Sequence, residues 1–175
     1  MRRAIFLVTV LVLMAACHGG ASSNIRVGDG TRYVNNSDGV QGVILPDGSH
    51  IKLSSGTTIL LGKGFDLGNR VVDLDGEGMF EIHVQRGRQF VVTTKNLLIH
   101  GPGIRFRVDA VRSRAGEEVD LLEGELTIQK SYHSDLDSLA EKLSSGDMLM
   151  INREIDLMEK EKMNGEETDK AKSKF

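Results

Sequence analysis

The stretch VILPDGSHIKL, residues 43–53, decides the fold. Val43 and Leu45 alternate into Pro46-Asp47-Gly48, and Ile51 and Leu53 alternate out of it. A period of two places these apolar side chains on one face of an extended chain. Proline pre-sets the first turn residue and glycine accepts the positive φ that closes a tight turn. The segment is therefore expected to be strand, turn, strand. Asp47-Gly48 is the last of three Asp-Gly pairs spaced nine residues apart, after Asp29-Gly30 and Asp38-Gly39. A nonapeptide calcium roll needs Gly-Gly-x-Gly-x-Asp units followed by a large apolar residue, and none is present. The first two pairs read as turns in a polar tether.

Downstream, the same period recurs. TTILLG (57–62) and QFVVTT (89–94) are short strands. In VVDLDGEGMFEIHV (71–84), Leu74, Phe80, Ile82 and Val84 share one parity with Gly76 and Gly78, and Asp73, Asp75, Glu77, Glu81 and His83 share the other. That is a half-buried strand with one wet face, its glycines marking a bulge or a close backbone approach. GIRFRVDAV (103–111) alternates most cleanly: Ile104, Phe106, Val108 and Ala110 inward, Arg105, Arg107 and Asp109 outward. EEVDLLEGELTIQ (117–129) holds two strands hinged at Gly124, and MLMIN (148–152) reads as a last strand. A helix over LDSLAEKL (136–143) is predicted from the spacing of Leu136, Leu139 and Leu143, with Gly146 beyond it. The fold class is thus all-β, an antiparallel sandwich or roll of many short strands, with a short helix and a charged tail at the C-terminus. With no Trp and few aromatics, the core must be aliphatic, with Phe80, Phe90 and Phe106 its largest pieces.

Residues 1–16 read as a signal segment. Arg2 and Arg3 precede an apolar run from Ala4 to Ala16. The run is too short to cross a membrane, which takes roughly 20 residues. It ends LMAAC, on Cys17, the only cysteine. These residues resemble a bacterial lipobox, which implies cleavage after Ala16 and lipid on the Cys17 thiol, and hence membrane attachment through Cys17. Residues 17–42 are expected to be a flexible tether with one loose strand near Arg32–Val34. Residues 43–153 form the β domain, and 154–175 a charged tail, disordered or loosely helical.

Chemistry-bearing patterns are few. The net charge of −3 with mixed signs implies no nucleic-acid surface. DLDGEG (73–78) begins like a calcium loop, but its twelfth position is Val84 instead of a bidentate Glu. The five histidines lack metal-ligand spacing. There is no nucleophile elbow. Neither metal nor cofactor nor enzymatic activity is expected. Arg105 and Arg107, with Arg86 and Arg88 nearby in sequence, are the candidate binding residues, a basic face for an anionic partner; the alternative is the solvated face of amphipathic strands.

The ordered series LPDGSHIKLSSGTTI (45–59), VVDLDGEGMFEIHV (71–84), QFVVTT (89–94), GIRFRV (103–108), VDLLEGELTI (119–128) and LSSGDML (143–149) resembles the FecR domain, the periplasmic sensor module of bacterial cell-surface signalling. The family's Gly-Thr-x-Phe pattern has Ile104 in place of Thr here, and Arg107 where Asn is common. Typical signalling members also carry a cytoplasmic anti-sigma segment and a membrane helix before this domain. The resemblance implies a non-catalytic, periplasm-facing module in the cell envelope that binds another envelope protein or a cell-wall component. The process would be cell-surface signalling, or alternatively structural scaffolding without a signal.

Overall fold

A computed structural model describes residues 23–27, 30–102, 104–134 and 139–175. The expected signal segment, Cys17 and the start of the tether lie outside the described residues. Strand β1 spans Ser23–Val27, β2 Gly30–Val34, β3 Gln41–Ile44, β4 His50–Leu53 and β5 Thr58–Leu61. The long β6 is Val71–Glu81, followed by β7 Phe90–Thr93, β8 Leu97–Gly101, β9 Arg105–Ala110 and β10 Gly116–Glu123. Then come β11 Glu125–Lys130, β12 Glu141–Ser144, β13 Asp147–Asn152, β14 Leu157–Lys162 and helix α1 Gly165–Ser173.

The strands form a continuous sheet that β6 divides into two halves. One half runs β1-β2-β5-β6-β7-β8-β11-β12, the other β3-β4-β6-β9-β10-β13-β14. Every pairing is antiparallel except β6 with β7, which is parallel. The sheet wraps into a nearly closed, barrel-like arrangement with one apolar interior. Val72, Leu74, Ile99 and Ile128 of the first half meet Ile51, Leu53, Val108 and Leu121 of the second there. Phe80 and Phe106, paired in register on β6 and β9, stack with centroids 5.1 Å apart. Phe90 of the other half meets Phe80 edge-on at 6.3 Å, so aromatic contact crosses between the halves.

β6 changes sheets at Gly76. Residues 72–75 pair with β5, and residues 76–81 pair with β9. Gly76 has φ +122°, and a Cβ there would lie 2.5 Å from Thr57 Oγ1 and 2.8 Å from Thr57 Cα. Only glycine fits that bend. Thr57 staples it: its hydroxyl accepts from the Glu77 N–H at 2.9 Å and donates to the Glu77 carbonyl at 3.0 Å.

The hairpin at 43–53 forms as expected. Gly48 N–H donates to the Leu45 carbonyl at 3.0 Å, Gly48 has φ +85°, and Val43 pairs with Ile51. Elsewhere the expectations need correction. Residues 141–144 are a strand, not a helix: Leu143 is buried by pairing opposite Leu126, whereas Leu139 is exposed. A helix lies at 165–173, inside the tail expected to be disordered or loosely helical, and residues 157–162 of that tail add β14 to β13 over six paired positions. Gly124 does hinge two strands as expected; β10 bonds to β9 and β13, and β11 to β8 and β12. The strand near Arg32 is β2, bonded to β5, so the β fold begins before residue 43. Val84 and Ile104 lie beyond the ends of β6 and β9, and both are exposed.

Candidate functional site

Arg105 and Arg107 do lie on the outer face of β9, but they do not make a basic surface. Helix α1 covers that face: Ala171 is buried, Lys174 Nζ bonds Glu77 Oε2 at 2.5 Å, and Lys52 Nζ donates to the Phe175 carbonyl at 3.0 Å. Arg107 is 7% exposed beneath it. Its Nε donates to Glu77 Oε1 at 2.7 Å, its Nη1 reaches Asp120 Oδ2 at 2.6 Å and Glu118 Oε1 at 2.5 Å, and its Nη2 lies 3.5 Å from Asp109. Carboxylates therefore outnumber cations. Burial disfavours the guanidinium charge, but hydrogen bonds to Asp120, Glu118 and Glu77 outweigh it and hold Arg107 firmly protonated. Burial likewise pushes the Asp120 carboxyl up, partly offset by Arg107. For Glu77, burial is outweighed by Lys174 and Arg107, which bring its carboxyl below the usual range. Arg105 is half-buried and faces Glu81 at 3.5 Å. The strand's cations are neutralised within the fold.

A second cluster was missed by reasoning along the chain. Arg70 is 2% exposed and donates through Nε at 2.8 Å and Nη2 at 2.6 Å to Asp47 Oδ2, in the PDGS turn. Asp47 Oδ1 accepts the Ser49 N–H at 2.9 Å. Arg70 also donates to the carbonyls of His83, at 2.7 Å, and Arg88, at 3.1 Å, and stands over the Phe90 ring at 5.3 Å. One buried guanidinium thus ties the β3–β4 hairpin to both stems of the loop joining β6 to β7. The available signal was a charged residue directly before the apolar pair Val71-Val72; its partner lies 23 positions away. Arg86 and Arg88 sit in this loop, whereas Arg105 and Arg107 are on β9.

At the opposite end of the domain, Asp156 accepts from Lys130 Nζ at 2.9 Å, Tyr132 Oη at 2.9 Å and Ser134 Oγ at 2.6 Å. All three donors converge on one carboxylate, which ties the β13–β14 turn to the segment after β11. The Lys130 hydrogen bond, then Ser134 and Tyr132, holds the Asp156 carboxyl at about 2. Burial and the Asp156 bond push the Tyr132 phenol up to about 12. The arrangement is a clasp. Among the described residues no group of three or more His, Cys, Asp or Glu side chains could hold a metal ion.

The family model described as FecR protein matches residues 31–127, and the chain belongs to the FecR family. Two crystal structures, both described as a putative anti-sigma factor from Parabacteroides distasonis ATCC 8503, share this fold. Each has a TM-score of 0.68 and 21% sequence identity over 78% of this chain. This chain covers 62% and 61% of those two chains, less than two thirds of their length. No curated protein matches the sequence.

Proposed function

We propose that the protein is a lipid-anchored, periplasm-facing FecR module that regulates by binding another envelope protein, without catalysis. The observation that carries this reading is the family match over residues 31–127, from β2 into β11. The crystal structures of similar fold, described as putative anti-sigma factors, support regulation as the process. The start of the chain supports the anchor: Arg2 and Arg3, the apolar run to Ala16, then Cys17. Several acyl chains on one cysteine would hold the domain firmly at the membrane.

Two measurements test the reading. Wild type should fractionate with membranes, and Cys17→Ser should release it; a wild type that is soluble after export rejects the anchor. Photocrosslinking in cells from positions 84 and 105, followed by mass spectrometry, should capture an envelope receptor or signalling protein. Capture of cell-wall material alone would replace regulation with scaffolding.

A further inference from the structure

Helix α1 does not cover the whole outer face of the second half of the sheet. It crosses above Arg107, Asp120 and Met148, which lie in register on β9, β10 and β13. Met148 is accordingly only 8% exposed, whereas Met150, two residues along the same face, is 37% exposed. Beyond Met150 the face opens into a hollow of about 380 Å³. Ile155 and Leu157, both exposed, line it with Met150, so three large apolar side chains meet at one place in contact with solvent. A grouped apolar patch of this kind marks a contact surface, where scattered single residues would not. Asp109, Glu118 and Glu159 border it, with Arg114 the one cation among the residues that line it.

The dimensions suit a second helix. Strand residues rise roughly 3.3 Å each, so Met150 and Asn152 lie about 7 and 13 Å along the face from the row beneath α1. Packed helices lie roughly 8–10 Å apart, so a helix alongside α1 would rest on Met150 and Leu157, beside Gly116. The way this sheet holds a helix is already visible in α1: a small buried residue, Ala171, and a lysine, Lys174, on a carboxylate, Glu77. The hollow offers carboxylates of the same kind around a larger apolar centre. Its charge selects the occupant. Arg114 pairs with Asp109, but Arg107 is shared among Glu77, Asp109, Glu118 and Asp120, and Glu159 has no ion pair among the described residues. The surplus is negative. It repels an anionic lipid surface, and equally the same face of a second copy, and attracts lysine or arginine. The Asp156 clasp fixes the turn that carries Ile155, so the apolar centre needs little ordering on binding.

We propose that the hollow beside α1 docks an amphipathic helix of another envelope protein, whose apolar stripe covers Met150, Ile155 and Leu157 and whose flanking lysines or arginines meet Glu118 and Glu159. Apolar anchors spaced three and four residues apart are how a helix fills such a groove. That the helix belongs to an envelope protein rests on the regulatory reading above; the docking face itself does not.

The test uses the full chain in phosphatidylcholine nanodiscs, observed by NMR and titrated with a synthetic helix of about 14 residues, roughly four turns, with leucine on one face and lysine on the other. Empty nanodiscs titrated alongside correct for peptide taken up by lipid. The amides of residues 116–118 and 150–159 should shift saturably, and a leucine–glutamate peptide of the same pattern should leave them unmoved. Leu157→Ser, a change at an exposed side chain, should weaken binding by about tenfold, and Glu159→Lys should weaken it at least as much. Equal binding of the glutamate peptide, unchanged binding in Leu157→Ser, shifts centred on α1, or self-association of the chain through residues 150–157 would overturn the proposal. In cells, a photocrosslinker at position 155 should capture an envelope protein through a basic helix. Capture from positions 84 or 105 but not 155, with no peptide binding, rejects this face and leaves the regulatory reading standing. Peptide binding at the hollow, with no envelope protein captured from any position, keeps the face and rejects that reading.

Discussion

At the residue scale, Asp47 has two duties. Its carboxylate closes the PDGS turn onto Ser49 and neutralises Arg70, which is itself buried. Removing one partner of a buried pair strands the other charge, at a cost of about 3–5 kcal/mol. Asp47→Ala should lose about that much stability in urea unfolding, and Arg70→Lys should fail to restore a paired geometry because an ammonium cannot offer the two-nitrogen fork. A loss below about 1 kcal/mol in Asp47→Ala would show that the pair is not buried in solution. The turn itself was legible, since Pro-Asp-Gly is local chemistry. The pairing was not, because nothing near Arg70 in the chain points to a residue 23 positions earlier.

At the element scale, β6 rests on one glycine. Any side chain at position 76 must displace Thr57 backbone as well as adopt φ +122°. Gly76→Ala is therefore expected to cost more than the roughly 1 kcal/mol of a helical glycine exchange, and to lower the thermal midpoint by several degrees. An unchanged midpoint would mean the strand does not bend there. Alternation exposed β6 and β9 in the sequence because their inner faces are regular: Leu74 and Phe80, Phe106 and Val108. The same rule failed where periods are ambiguous. Leu136, Leu139 and Leu143 fit a helical spacing, yet Leu143 is held in β12 by its pairing with Leu126. LMEKEK has no alternation at all, and β14 exists because β13 offers it a backbone edge. Its charges suit an outer edge strand, where they discourage further pairing. Arg107 was legible as outward-facing but not as buried. Its cover is α1, a segment whose only buried residue is Ala171, docked largely through Lys174 and the Phe175 carbonyl. Such polar docking leaves no apolar stripe to read.

At the scale of the whole molecule, clasps join the two halves of the sheet away from the core. Glu117 on β10 accepts from Asn96 through N–H at 3.1 Å and Nδ2 at 2.9 Å, reaching across to the β7–β8 turn. Asp156 makes the matching link between the β13–β14 turn and the end of β11. Asp156 is charged in the fold down to about 2, against an ordinary 3.8. A depressed native pKa means that its contribution is complete above the unfolded value and fades as pH falls from about 4 to about 2. Asn tolerates the left-handed backbone at this position (φ +52°), so Asp156→Asn isolates the charge. Wild type should be more stable than the variant near neutrality, and the gap should close between about pH 4 and about pH 2. A gap independent of pH would remove Asp156 from the clasp.

The bend at Gly76 has a consequence for how this domain can transmit anything. β6 is bonded to β4, β5, β7 and β9, so neither half of the sheet can detach without tearing the strand they share. The halves should melt as one cooperative unit, with the amides of residues 72–80 exchanging only on global unfolding. A signal arriving on one wall therefore cannot travel by loosening that wall alone. It has to travel by motion of the body as a whole, or by the pieces that no backbone pairing ties to β6, of which α1, docked on Glu77 only through the Lys174 side chain, is the plainest.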